Sequence, residues 1–294
     1  MSRPRPALTR AVDVLHQVLR DQTDDLQADA AIRRQVSTAC RLGVIGLAGG
    51  VGCSQLASRL AVLIARRLGA RVLGVDAAAA ETFTRLTQAV AGPEPEPSRE
   101  PAVAGRILHP AVSVNRVSQV TAAMLLGAAG LRVLRPDTLA GASVRPQDWR
   151  SAVAPVARYF DVILTDWGRR LPGVDFEPAL GASHAVVLAC RADRAAIETA
   201  MAVAAAVNAE TPCLVCAVDV DDAGSLAARM AARFGTVPVC YLPFMEIPVQ
   251  TVPQPAVRRV IIDIAARLMT LAEPARQEGP ARALLSDAVS GGGR

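Results

Sequence analysis

From residue 42 onward the chain alternates between two hydrophobic rhythms. Apolar runs at 42–47, 71–76, 131–135, 160–166, 185–190, 213–219 and 237–242 are strand-length and bounded by turn residues, and most are separated by stretches of helical spacing. The run Ala185-Val-Val-Leu-Ala-Cys190 has no polar position, as suits a strand covered on both faces of a parallel sheet. Helices are expected over 53–68 and 255–272. The alternation predicts an α/β fold, a doubly wound and mostly parallel sheet with helices on both faces.

Around that core the pattern changes. Ala11, Val14, Leu15, Val18 and Leu19 recur at helical spacing ahead of acidic Asp21, Asp24 and Asp25, so residues 1–38 are expected to form a helical extension that docks on the domain or meets a partner. Residues 91–101, Ala-Gly-Pro-Glu-Pro-Glu-Pro-Ser-Arg-Glu-Pro, suit neither a helix interior nor a central strand and predict a surface loop within the domain. The domain is expected to span 39–272, and the tail 273–294, ending Ser-Gly-Gly-Gly-Arg, is expected to be disordered.

Composition narrows the class more than the role. A chain of 294 residues with 51% hydrophobic content can bury one large α/β core with appendages. A net charge of +5 permits contact with DNA or an anionic membrane surface, but the arginines fall in dispersed pairs, Arg66-Arg67, Arg169-Arg170 and Arg258-Arg259, which read as solvated surface. Cys40, Cys53, Cys190, Cys213, Cys216 and Cys240 sit mostly in apolar runs and the start, Met-Ser-Arg-Pro-Arg, lacks a signal-peptide core. With no apolar run of membrane-spanning length, these features predict a cytoplasmic protein with reduced thiols, peripheral attachment at the inner face of the membrane being the alternative.

The chemistry concentrates after the first strand. Gly49, Gly50 and Gly52 lead into the helix that starts at Cys53, and a strand, glycine loop and helix N-terminus together form a cradle for phosphate. In the full G-x-x-x-x-G-K-[ST] loop the lysine reaches the β- and γ-phosphates and the hydroxyl binds magnesium. Here Gly52 and Ser54 stand in register, the first glycine position is Leu47, and the lysine is Cys53. All 32 basic residues are arginine, so no lysine elsewhere can substitute.

Ala48-Gly-Gly-Val-Gly-Cys-Ser54 is similar to the K-G-G-V-G-K-T loop, the deviant Walker A, of the MinD/ParA family of P-loop ATPases. Arg71-Val-Leu-Gly-Val-Asp76 resembles that family's second strand, Phe160-Asp-Val-Ile-Leu-Thr-Asp166 its Walker B strand, and Ser183-His-Ala-Val-Val-Leu-Ala189 and 237–250 its later strands, so the likeness covers about residues 40–272. Leu164-Thr-Asp-Trp-Gly168, Gly130-Leu-Arg-Val-Leu134 and the N-terminal extension resemble actinobacterial members, including those associated with type VII secretion. The resemblance implies a P-loop NTPase sheet, a nucleotide site made by Gly49, Gly50, Val51, Gly52, Cys53, Ser54, Asp76 and Asp166, ATP or ADP as ligand, and Mg²⁺ held by Ser54 and Asp166. It also implies protein partners and a homodimer.

The departures from the family fall on chemistry. The loop lysine is Cys53, the lysine that reaches a partner subunit's nucleotide is Ala48, and the second carboxylate of the D-x-D pair, associated with activating water, is Ala78. A single stabilising cation in a phosphoryl-transfer site is worth about 10³ to 10⁵ in rate, so these losses predict a pseudo-ATPase with weak or absent nucleotide binding. The expected role is a non-hydrolysing scaffold or regulatory partner in secretion, cell division or partitioning. An ATP-dependent dimerisation switch, which would be an ATP hydrolase, and a dinucleotide-binding enzyme built on Asp76 are the alternatives, the latter opposed by the missing G-x-G-x-x-G register.

Other candidates carry less. Cys53 at a helix N-terminus reads as an activated thiol or as a small residue filling the lysine's place. Cys213-Leu-Val-Cys216 has metal-ligand spacing, but residues three apart in a strand point to opposite faces. His16, His109 and His184 show no catalytic spacing, Asp219 closes a strand near the family's adenine site, and Trp167 and Arg169 flank Asp166 as crevice or contact residues.

Overall fold

In the computed structural model the described residues are 23, 25–33, 39–68, 71–78, 86, 124–136, 142–173, 175–222, 224–244 and 254–273. The spacing read at 11–19, the proline-rich stretch 91–101 and the tail after 273 lie outside them.

The strands are β1 (Cys40–Gly46), β2 (Val72–Asp76), β3 (Leu125–Leu126), β4 (Arg132–Leu134), β5 (Val162–Arg169), β6 (Ala185–Arg191), β7 (Cys213–Val218) and β8 (Val239–Leu242). They form one sheet in the order β3-β4-β2-β5-β1-β6-β7-β8, parallel throughout except for the β3–β4 pair. The expected mostly parallel, doubly wound architecture is present, with β1 and β5 at its centre. The two-residue β3 was not foreseen, because an edge pairing so short leaves no periodic signal.

The helices are α1 (25–33), α2 (Cys53–Leu68), α3 (Pro146–Val153), α4 (Phe176–Gly181), α5 (Arg194–Val207), α6 (Leu226–Phe234) and α7 (Pro255–Leu271). Because side chains alternate across a strand, each strand feeds two cores. Leu42, Val44, Leu164 and Val187 pack under α2 and α7, while Ile45, Ile163, Trp167 and Leu188 pack under α3, α4 and α5. Local chemistry fixes the helix ends: Pro146 and Pro255 occupy first-turn positions, where a missing N–H costs nothing, and Asp193 caps α5 by accepting from the Ala196 N–H at 2.9 Å.

The described part of the N-terminal extension lies on the first core. Ile32 is buried there, and Asp29 pairs with both Arg33 and Arg67 of α2. Among the described residues no helix is long and apolar enough to cross a membrane.

Candidate functional site

The glycine loop leaves β1 at Gly46 and enters α2 at Cys53. Gly50 and Gly52 have φ of 72° and 75°, a left-handed backbone that favours glycine, and around Gly49 and Gly50 nothing lies within 4 Å of where a Cβ would be. The inner side of the loop is tight. A Cβ on Gly46 would meet Val51 Cγ2 at 3.1 Å and Cys53 Cβ at 3.2 Å, and Val51 is buried in the core rather than lining an opening. The cradle shape is retained, with its exposed rim at 48–50.

Cys53 turns toward the strand ends. Its Sγ lies 3.5 Å from the Val44 carbonyl, 3.5 Å from Asp166 Oδ1 and 3.7 Å from the Gly168 carbonyl. One S–H serves one acceptor at a time, so the thiol is a neutral plug shared among three oxygens. Burial pushes the thiol well above its usual range, and the Asp166 charge and hydrogen bond add to the rise against smaller opposing contributions from the Gly168 and Gly46 backbone. Desolvation outweighs the helix N-terminus here, which favours the small-residue reading of Cys53 over the activated-thiol reading.

Asp166 differs from the sequence expectation in one respect. The apolar run suggested a strand ending at 166, with the carboxylate just past it, whereas β5 continues to Arg169 and Asp166 lies inside the strand, fully buried. The continuation comes with a register shift: Val44 pairs with Asp166 but Ile45 with Gly168, so Trp167 is bulged between them. Trp167 is completely buried against Gly43, where a Cβ would come within 3.2 Å of its ring. The bulge lets the Gly168 N–H, at φ 64°, donate back to Asp166 Oδ1 at 3.0 Å. Burial raises the Asp166 carboxyl above its usual range, opposed by the Ser54 hydroxyl, the Gly168 N–H, the Cys53 thiol and the Arg170 charge. Its Oδ2 is buried without a hydrogen-bond partner.

Asp76 sits beside it, paired in register with Asp166 across β2 and β5 and buried. The loop, Cys53, Ser54, Asp76 and Asp166 lie together at the carboxyl ends of β1, β2 and β5, the crevice side of such a sheet. Ala48 lies on the exposed rim and Ala78 is the second residue beyond β2, so neither position adds a charge to this crevice. A magnesium ion would find the Asp166 Oδ2 atom and the Ser54 hydroxyl, a set too small for an octahedral shell unless phosphate and water complete it. The residues fit that ion only together with a nucleotide.

Arg170 was missed. As half of an Arg169-Arg170 pair it reads as solvated surface, and Arg169 is indeed exposed, but Arg170 is 4% exposed. Its Nη2 donates to the Val144 carbonyl at 2.8 Å and the Ala77 carbonyl at 3.2 Å, and its guanidinium lies 5.7 Å from the Trp167 ring centroid. Burial lowers its pKa, and the charges of Asp175 and then Asp166 oppose that shift; a guanidinium stays charged in proteins. Strand alternation was the available signal, since residues 169 and 170 must face opposite ways if β5 runs that far. Trp149 was also unassigned; its Nε1–H donates to Thr165 Oγ1 at 3.1 Å and its ring lies 5.5 Å from that of Trp167.

The remaining candidates are structural. Asp219 Oδ2 accepts from Tyr241 at 2.7 Å and the Gly224 N–H at 2.9 Å, and Oδ1 from the Asp221 N–H at 3.3 Å, so both oxygens hold the turn after β7 rather than face a ligand. Cys213 and Cys216 face opposite cores, and no metal-binding group of His, Cys, Asp and Glu is present among the described residues. His184 Nδ1 accepts from the Arg41 N–H at the start of β6; His16 and His109 lie outside the described residues.

No family model matches the chain, and no curated protein matches it. Solved structures do share its fold. The cell division ATPase MinD of Pyrococcus furiosus aligns at 16% identity over 79% of this chain and 99% of its own, with a TM-score of 0.59. A chain of the MinC:MinD cell division complex of Aquifex aeolicus aligns at 17% identity over 79% and 96%, TM-score 0.56. Cobyrinic acid a,c-diamide synthase of Mycobacterium smegmatis, solved with an ATP analog and magnesium, aligns at 22% identity over 77% and 92%, TM-score 0.52. At these identities the likeness shows the fold alone and leaves activity to be argued from the crevice.

Proposed function

We propose that this protein is a MinD/ParA-like scaffold or regulatory partner that does not hydrolyse nucleotide and binds it weakly or not at all. The observation that carries the reading is the Cys53 thiol, 3.5 Å from Asp166 Oδ1 where a P-loop ATPase directs a lysine at phosphate. A neutral thiol supplies no charge to a transferring phosphoryl group, and it occupies the oxygen beside the one a metal would use. When bound with nucleotide, magnesium would supply charge neutralisation at phosphate. The chain's own residues oppose that loading by satisfying one Asp166 oxygen internally and by leaving methyl groups at Ala48 and Ala78. The complex of MinD with MinC, built on the same fold, supports a protein partner for this chain, or a second copy of it. The resemblance of 164–168 and 130–134 to actinobacterial sequences supports type VII secretion as one such assembly, beside cell division and partitioning.

The left-handed loop at Gly50 and Gly52, open around Gly49 and Gly50, favours one second reading, a divergent switch that dimerises on ATP. Calorimetric titration with ATP and ADP plus Mg²⁺, on the native chain and on Cys53→Lys, decides between them. The scaffold reading expects no heat from the native chain and restored binding in the variant. Micromolar binding by the native chain sinks it and installs the switch.

A further inference from the structure

A buried guanidinium ordinarily faces a carboxylate, because an unpaired charge in the interior is costly. Arg170 feels the Asp175 and Asp166 charges, yet its hydrogen bonds go to backbone: Nη2 bridges the carbonyls of Ala77 and Val144, and Nε is buried without a partner. Those carbonyls come from separate parts of the chain. Ala77 is the first residue after β2, Val144 lies in the segment entering α3, and Arg170 is the first residue after β5. The Arg170 N–H is itself bonded to the Gly46 carbonyl at 3.0 Å, at the base of the glycine loop. Two further bonds close the group: the Val144 N–H donates to the Ala77 carbonyl at 3.2 Å, and the Ala77 N–H to the Asp166 carbonyl at 2.9 Å.

In nucleotide switches the segments beside the phosphate loop are held by γ-phosphate and its metal ion and released when these leave. Here a side chain of the protein itself joins the segment after β5 to the residue after β2 and to the segment entering α3. We propose that Arg170 is an internal brace that fixes the segments leaving β2 and β5 in a single arrangement, so the crevice face is permanently set rather than switched. The brace deepens the scaffold reading and rests on it: a face held constant, with Arg169 and half-exposed Leu171 beside the brace, is what a partner would meet at all times.

Amide hydrogen exchange on the full chain tests this, comparing the native protein with Arg170→Met and Arg170→Lys. Losing a hydrogen bond from a charged donor corresponds to about a ten- to hundredfold loss of protection, so in Arg170→Met the Val144 and Ala77 amides should exchange faster by that factor while those of β6 and β7 hold. Unchanged protection at Val144 and Ala77, or a uniform rise that includes β6 and β7, overturns the brace and leaves Arg170 as ordinary core packing. If Arg170→Met does not fold, Arg170→Lys carries the test, since it keeps the charge but its ammonium stops one bond short of the place from which Nη2 bridges the two carbonyls. Val144 must still exchange faster, and equal protection overturns the proposal. Adding ATP and Mg²⁺ to the native chain separates the two claims. Binding heat with protection at Val144 and Ala77 unaltered sinks the scaffold reading and supports the brace, whereas nucleotide-driven deprotection there overturns the brace.

Discussion

Two aspartates stand at the carboxyl end of the same sheet, and the protein treats them oppositely. Asp219, after β7, is 3% exposed and accepts from the Tyr241 hydroxyl and from the turn amides of Asp221 and Gly224, so both oxygens are engaged. Asp166, inside β5, is fully buried with one oxygen shared between the Gly168 N–H and the Cys53 thiol and the other without a partner. The donors around Asp219 organise a turn, whereas burial moves Asp166 toward its neutral form in spite of the Ser54, Gly168 and Cys53 donors around it. The aspartate inside the central strand is thus the one that burial dominates, and the structural work falls on the aspartate nearer the sheet's edge.

The comparison breaks most visibly at Asp219. Asp219→Ala leaves a phenol and two amides without their acceptor and should cost about 2–4 kcal/mol in urea denaturation. The same change should bring the Tyr241 phenol down from about 12, where burial, the Asp219 hydrogen bond and the Asp219 charge hold it, as read by ultraviolet titration. A loss near zero would mean the turn holds itself and the contrast is false.

At Asp166 the expected effect is smaller and depends on pH. Burial raises the folded carboxyl, so between the ordinary carboxylate pKa and the raised value the folded state keeps a proton that the unfolded chain has lost. The stability linked to Asp166 is therefore full below about pH 4 and declines as pH rises through the raised pKa. Asp166→Asn should change stability by no more than about 1 kcal/mol near neutral pH and should remove this part of the pH slope. An unchanged slope in the variant would show that Asp166 titrates normally.

The smallest expected signal is no signal. All six cysteines are buried and burial pushes Cys53 upward, so the native chain should give no fast-reacting thiol with a colorimetric disulfide reagent at neutral pH. A rapid equivalent that maps to Cys53 would return that residue to the activated class and undo the plug.

Much of the sheet was legible because buried parallel strands must be apolar on both faces. The runs at 71–76 and 185–190 match β2 and β6 within a residue at each end, and the helix expected at 53–68 is α2. The strand read at 160–166 ends three residues later, at Arg169, because Trp167 buries through a bulge that no periodicity announces. The grouping at the crevice was legible for a different reason: glycines at 49, 50 and 52 follow β1, and the acids at 76 and 166 fall in the carboxyl-terminal halves of β2 and β5, the end at which α/β sheets bind ligands. Arg170 was not, since two adjacent arginines look alike until the course of β5 decides which one turns inward.

The sequence by itself determined the sheet, the glycine cradle and the missing cations, since these depend on residue type and local spacing. Only the tertiary structure decided what surrounds Cys53. Whether Cys53 is reactive or inert, whether Asp166 is solvated or buried, and whether Arg170 meets water or two carbonyls all depend on desolvation and on contacts between residues far apart in the chain, which side-chain chemistry alone does not fix.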